Sequence, residues 1–490
     1  MDPVILAMFI GYFIITIAIG YYTSKGQKNM ADFYIAGRSI GPILIAFSSC
    51  ATIASGFFFV GLPGLAYLFG YQPMFQIPVN AILAYVIVFG LLAKPMRVLS
   101  ERYDLLTVPD LFEQVYQSRA LRWISSIIIM VGIFGFMVSQ WVAMGMLFQT
   151  LLKSTYITGL IVGVVVVGFY VTLGGQKGNM WISAFQLVIM MLGSVLAMYY
   201  GFKSVGGFTE LNQTLSQYNP EVLKPWSESF GLGFYSFLSF FLLYAIGTAG
   251  QPHFVTRYFA IKDVQRLRWT PAISAISYVF ITFFLYTGMI YRVAEIKGVV
   301  SALKIPDMVV GEFLVQFMPG GIGGLVLAAA VAAIMSTVSA FILVAASTII
   351  RDFMQKGMNK TVSDKQGVLY SRIATVIICV VTVLFALNPP DLIAWLGNAA
   401  FGFFAAGIGP ALVFGIRWRK ASKEAAIVSM LVGSIGALTM YILKINKIYV
   451  PKLDGGAAAF LVSIGIMVVV SLMTSHSVEH VIKDAKQKSA

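Results

Sequence analysis

Residues 331–350, VAAIMSTVSAFILVAASTII, and 42–64, PILIAFSSCATIASGFFFVGLPG, decide the reading of this chain. Each is long and apolar enough to lie across about 30 Å of hydrocarbon. Each is also studded with small and hydroxyl residues at mid-length. The oxygen at that depth comes without acid, because no Asp or Glu occurs from position 33 to 100 or from 114 to 209.

The rest of the chain has the same apolar character. Hydrophobic residues make up 59% of the 490 and charged residues only 11%, which excludes a soluble enzyme. Thirteen apolar stretches approach membrane-spanning length: 3–23, 42–69, 75–93, 123–152, 157–175, 182–202, 231–250, 272–290, 309–349, 373–388, 391–415, 424–442 and 456–474. The expected fold is therefore an all-α integral membrane protein with thirteen transmembrane helices. The ninth stretch is too long for one simple span and predicts a re-entrant or interfacial helix ahead of the main one. The first lacks a small-residue cleavage pattern and reads as a retained anchor.

A net charge of +14 would suit a nucleic-acid partner if it formed a continuous basic face. It does not. With the N-terminus outside, most of the Lys and Arg fall in loops assigned to the cytoplasm, including Arg351, Lys356, Lys360 and Lys365, and Arg417, Arg419 and Lys420. This is the positive-inside bias, and it predicts a multi-pass cell-membrane protein with a cytoplasmic C-terminus. Cys50 is one of only two cysteines, and His253, His476 and His480 form no ligand grouping. Neither a disulfide framework nor a structural metal is expected.

No soluble domain interrupts the spans. In the long loop after span three, TVPDLFEQVY (107–116) predicts a short interfacial helix with Pro109 near its start. Span two is interrupted by hydroxyls and Gly, and FLLYAIGTAGQPHFVTRYFA (241–260) breaks span seven at its far end. Discontinuous helices at equivalent positions of two five-helix units are a common carrier layout. The units then occupy spans two to eleven. The expected divisions are 1–38, 39–230, 231–420 and 421–490.

The hydroxyls suggest what the breaks are for. Ala333 followed by Ser336 and Thr337 puts three oxygens on one helix face, and Ala51 and Ala54 add two carbonyls if span two opens near Ser55–Gly56. Hard cations take oxygen ligands, and five of these suit Na+ without a carboxylate. The competing reading is packing, since Ser and Thr in membrane helices bond their own i−4 carbonyl or a neighbouring helix.

Five segments resemble the sodium/solute symporter family, which includes bacterial proline, pantothenate, sialate and acetate carriers: YIAGRSIGP (34–42), ASGFFFVGLPG (54–64), YVTLGGQKGNMWISAFQ (170–186), GQPHFVTRYFAIKD (250–263) and AAIMSTVSA (332–340). The resemblance implies a five-plus-five inverted repeat and alternating access. It also implies a sodium site on Ala51, Ala54, Ala333, Ser336 and Thr337. Two positions depart from the pattern, with Ile53 and Ser183 standing where many members carry an acid. An intramembrane carboxylate is expensive and usually functional, so their absence predicts one coupled Na+ rather than two.

The solute cavity is expected at the two breaks, with Ser55, Gly56, Phe57, Gln140, Thr248 and Gln251 as candidates, and Phe58 and Asn398 nearby. Gln140 has an equal claim to a helix–helix hydrogen bond. Arg257 and Lys262 read as topology and gating charges at the cytoplasmic end. Trp141 and Trp181 read as core residues or interfacial anchors, and a lipid-facing position argues against Trp141 as a ligand. The expected function is Na+-coupled uptake of a small organic solute, an amino acid such as proline or a short monocarboxylate. Its partners are that solute and the lipid bilayer, with no nucleic acid and no obligate protein partner inferred. The rival readings are an H+-coupled carrier for the same solutes and, further off, an ion channel or a membrane sensor. No nucleophile–base pair points to an enzyme.

Overall fold

The computed structural model describes residues 3–24, 29–171, 175–263, 265–388, 393–448, 452–475 and 478. His476, His480 and residues 172–174 of the third resembling segment lie outside this set. Among the described residues there is no strand, only an isolated bridge between Ile40 and Ile261.

The helices, in chain order, are α1 (Pro3–Ser24), α2 (Pro42–Ile53) and α3 (Phe57–Phe69), α4 (Gln72–Arg102), α5 (Val108–Tyr116), α6 (Arg119–Leu152), α7 (Tyr156–Val171) and α8 (Gly175–Val205). The second half continues with α9 (Phe234–Gly250) and α10 (Leu267–Ile296), α11 (Val309–Phe317), α12 (Gly320–Gly357), α13 (Asp364–Ala386), α14 (Ile393–Arg417), α15 (Lys423–Ile445) and α16 (Gly455–Met473). Among the described residues nine helices are long and apolar enough to cross a membrane. The pair α2–α3, bent by 54°, passes the same test together. Three shorter apolar helices, Ala7–Thr23, Tyr156–Val165 and Phe234–Gly250, complete the set.

The elements begin and end where local chemistry dictates. The overlong ninth stretch divides at Pro319, which precedes the first residue of α12. In α5 the Thr107 side chain accepts the Asp110 N–H and Pro109 occupies the first turn, where its missing donor has no consequence. The α13 start is a capping box, Ser363 with Gln366.

Helix α12 is the axis of the molecule. Its apolar window is 94% buried, against 33% for α13 and α15. The run GGIGGLVLAAAVAAIMSTVSA explains this, because small side chains let neighbouring backbones approach where lipid removes any hydrophobic drive for association. Residues of α1, α6, α8 and α2 pack around it. Of the two readings of Trp141, the structure takes the core one: it is fully buried and donates to Thr382 Oγ1 on α13 at 2.8 Å. Its indole N–H needed a partner inside the protein and found one.

At the end of α12 a charged cluster closes the bundle. Arg122 donates to Asp110 Oδ1 at 2.6 Å, to Asp352 Oδ1 at 2.5 Å and to Glu113. Thr107 Oγ1 donates to Asp352 Oδ1 at 2.9 Å, and Arg351 pairs with Asp110 at 3.3 Å. Burial opposes ionisation of Asp110, but Arg351 and Arg122 outweigh it and hold its carboxyl below the ordinary carboxylate value.

Candidate functional site

The bend between α2 and α3 is made by diverted backbone donors. The Ala54 N–H still donates to Cys50 O at 3.1 Å, but the Ser55 N–H turns to Ile53 O at 2.9 Å. The Gly56 N–H leaves the helix and donates to Gln140 Oε1 on α6 at 2.8 Å. In a continuous helix these last two donors would bond the carbonyls of Ala51 and Thr52. Ala54, with ψ 75°, forms the corner, and both carbonyls lose their helical partners.

Helix α12 presents its hydroxyls to the two freed carbonyls. Ser336 Oγ lies 2.8 Å from Ala51 O and 2.9 Å from Ala333 O. Thr337 Oγ1 lies 3.0 Å from Thr52 O and 3.1 Å from Ala333 O. Each hydroxyl has one proton, so each donates to only one of the two carbonyls it reaches. Two protons thus serve three carbonyls, and the hydroxyl lone pairs are spare as well. Among the described residues no charged donor bonds to any of these oxygens. Such a surplus of neutral oxygen fits a small hard cation. The carbonyl of Thr52 was not anticipated; counting four back from Gly56 would have found it. Ala54 sets the corner, two residues beyond Thr52, the last α2 carbonyl that the hydroxyls hold.

The remaining candidates divide between the two breaks. Gln140 is fully buried and serves as acceptor for Gly56, which is the helix–helix bond of the competing reading. Gly56 has no room for a side chain, since a Cβ would lie 2.9 Å from Ala143 and from Ile334. Ser55 Oγ is buried without a partner. Phe57 stacks on Tyr244 of α9 with ring centroids 5.9 Å apart, and Phe58 packs edge-on against Tyr278.

In the α9 break, Thr248 donates to its own i−4 carbonyl, Tyr244 O, at 2.7 Å. Gln251 Nε2 donates to Phe401 O on α14 at 3.1 Å, leaving Oε1 buried and unpaired. A Cβ at Gly250 would lie 2.4 Å from Phe404 O, so only glycine lets the broken segment meet α14. Tyr244, Phe57 and Phe401 form the aromatic seam between the breaks, with Tyr244 and Phe401 rings 4.3 Å apart. Asn398 joins it, accepting from the Tyr244 hydroxyl at 3.2 Å.

Two positions correct the sequence reading or qualify it. Arg257 is not a surface charge: it is fully buried and donates to Thr52 Oγ1 and His253 O. It ties the α9 break to the last turn of α2. At the second position, the buried Ser183 of α8 lies 3.4 Å from Asn179 Oδ1, which also accepts from Ser339 Oγ of α12 at 2.7 Å. This contact between α8 and α12 is built from neutral groups.

The sodium:solute symporter family model matches residues 33–433. The chain belongs to this family. It is a sodium-coupled solute symporter of a family of transporters. This symporter is 29% identical to a sodium/pantothenate symporter of Haemophilus influenzae over 92% of this chain and 93% of that protein. It is 31% identical to the osmoregulated proline transporter OpuE of Bacillus subtilis over 87% of this chain and 86% of that one. A solved Na+-coupled sialic acid symporter, in a substrate-bound outward-open state, shares the fold. Its TM-score is 0.79 at 19% identity, covering 97% of this chain and 98% of that one.

Proposed function

We propose that this symporter couples one Na+, held at Ala51, Ala54, Ala333, Ser336 and Thr337, to the uptake of a small organic solute bound between the two helix breaks. The observation that carries the reading is the meeting of three carbonyls, two of them freed from α2, with two hydroxyls that have only two protons to give. Ion binding there holds α2 against α12 and completes the cavity formed by Ser55, Gly56, Phe57, Gln140, Thr248 and Gln251. The loaded bundle then rocks to face the other side. Differential affinity of the two states makes each ligand promote the other.

The solute class follows the relatives, which include proline and pantothenate carriers. Both an amino acid such as proline and a short monocarboxylate suit a site with few polar side chains. A single Na+ is supported by the neutral groups at Ile53 and Ser183. The nine long helices, the bent pair and the three shorter ones support thirteen spans, with a five-plus-five repeat over spans two to eleven. The divisions are then 1–38, 39–230, 231–420 and 421–490. Charge distribution supports an outside N-terminus and a cytoplasmic C-terminus in the plasma membrane.

The test is uptake by purified protein in liposomes under imposed Na+ or H+ gradients, with labelled proline, acetate, pyruvate, pantothenate and sialate. Accumulation of one of them with an inward Na+ gradient is expected. Accumulation driven by H+ alone would overturn the ion assignment.

A further inference from the structure

A cavity of about 350 Å³ opens at the end of the bundle where α14 and α16 begin, lined by Ser239, Phe240, Trp395, Lys444, Lys452 and Asp454 among others. The Lys444 ammonium lies 4.3 Å over the Trp395 ring and that of Lys452 5.9 Å over the Tyr235 ring. Among the described residues neither lysine has an ion pair.

The acid in the lining is already engaged. Asp454 Oδ1 accepts the Gly456 N–H at 2.9 Å and Oδ2 accepts from Asn398 Nδ2 at 3.2 Å. Its own N–H donates to Ser239 Oγ at 2.8 Å. The cavity therefore offers an apolar aromatic wall and two positive heads without a direct ion pair, Lys444 also facing the Asp454 charge.

Two lining residues touch the wall of the solute site. Phe240 packs on Tyr244 with ring centroids 5.9 Å apart. Asp454 reaches the same tyrosine through Asn398, which accepts from the Tyr244 hydroxyl. The Tyr244 ring covers Phe57, three residues past the corner of α2.

We propose that this cavity is an entry site for a small organic monoanion, whose carboxylate is received by Lys444 and Lys452 before the solute passes Tyr244 and Phe57. The proposal rests on the Na+-coupled uptake reading with the start of α14 facing outside, and it selects the carboxylate from the solutes that reading allows. A zwitterion would bring its own ammonium to a lining in which two lysines outnumber the single acid, Asp454. Lysine and tryptophan also serve as plain interfacial anchors. That role makes no distinction between solute charges.

The test is initial-rate Na+-driven uptake in liposomes of acetate, pantothenate and proline by wild type, K444R, K444Q and K444Q/K452Q. For the transported carboxylate the double variant is expected to raise KM about tenfold with kcat within twofold. Added salt at constant Na+ should shrink the difference, as for charges acting on encounter. K444R should stay near wild type. Four results overturn the inference while leaving Na+-coupled uptake intact. One is an unchanged carboxylate KM in the double variant. Another is an equal change for proline. The third is recovery of the variants by altered anionic lipid content, which would make the lysines headgroup anchors. Uptake confined to proline, with carboxylates neither carried nor competing, also overturns it alone. Absence of Na+-driven uptake of every probe would remove both readings.

Discussion

Helix α12 touches two polar clusters built on opposite principles. Midway along it, Ser336 and Thr337 join three carbonyls in a group with no formal charge and too few protons. At its far end, Asp352 joins Asp110, Glu113, Arg122 and Arg351 in a group that carries its own cations. The second holds its acids with two arginines, leaving Asp352 Oδ2 buried without a hydrogen bond, and fastens α5, α6 and α12. The first is left for a mobile partner to complete. The difference teaches that, on this helix, permanence comes with paired charge and exchange with neutral oxygen.

Substitutions can break this contrast. The largest effect is expected from Arg122→Gln, which leaves Asp110 and Asp352 buried together. Removing one partner of a buried pair costs about 3–5 kcal/mol, so thermal unfolding in detergent should shift down sharply and folded yield should fall. Next comes S336A/T337A, with unchanged yield and a half-saturating Na+ concentration for uptake raised by about tenfold or more. Unchanged Na+ dependence would remove the oxygen cluster from the mechanism.

Gln140→Leu is smaller. It strands the Gly56 N–H, a loss of about 1–3 kcal/mol for a buried donor, and should weaken Na+ activation and stability together by a few-fold and a few degrees. The smallest effect is a pH dependence. Because Asp110 is held below its ordinary value, its contribution to stability is fully present well above about 3.9, the unfolded carboxylate value. It is lost as pH falls through the lower folded value. Melting temperatures of wild type and D110N should therefore converge on acidification, and a constant gap would contradict the ion-pair assignment.

Much of this was legible in the sequence because it depends on local composition. Ser55–Gly56 and GTAGQPH announce backbone breaks by residue type alone. Pro319 divides the long stretch, and Ser336 and Thr337 share a face by helical spacing. What was not legible depends on residues far apart in the chain. The Thr52 carbonyl enters the cluster only because Gln140, 84 positions on from Gly56, takes that residue's N–H. Arg257 looked like a surface charge because nothing nearby in the chain revealed that Thr52 Oγ1 would receive it. Trp141 stayed open between core and interface for the same reason, since its partner Thr382 is 241 positions away.

The neutrality of the oxygen cluster has an electrical consequence. A cage without formal charge cannot cancel an ion it holds, so on the proposed site Na+ crosses the membrane field with its whole unit charge. The field then contributes about 2.3 kcal/mol per 100 mV for each charge moved. With one Na+ per cycle, a zwitterionic cargo makes every turnover a current that voltage can drive. A monoanionic cargo makes the same turnover electrically silent, leaving the concentration gradients as its sole source of work.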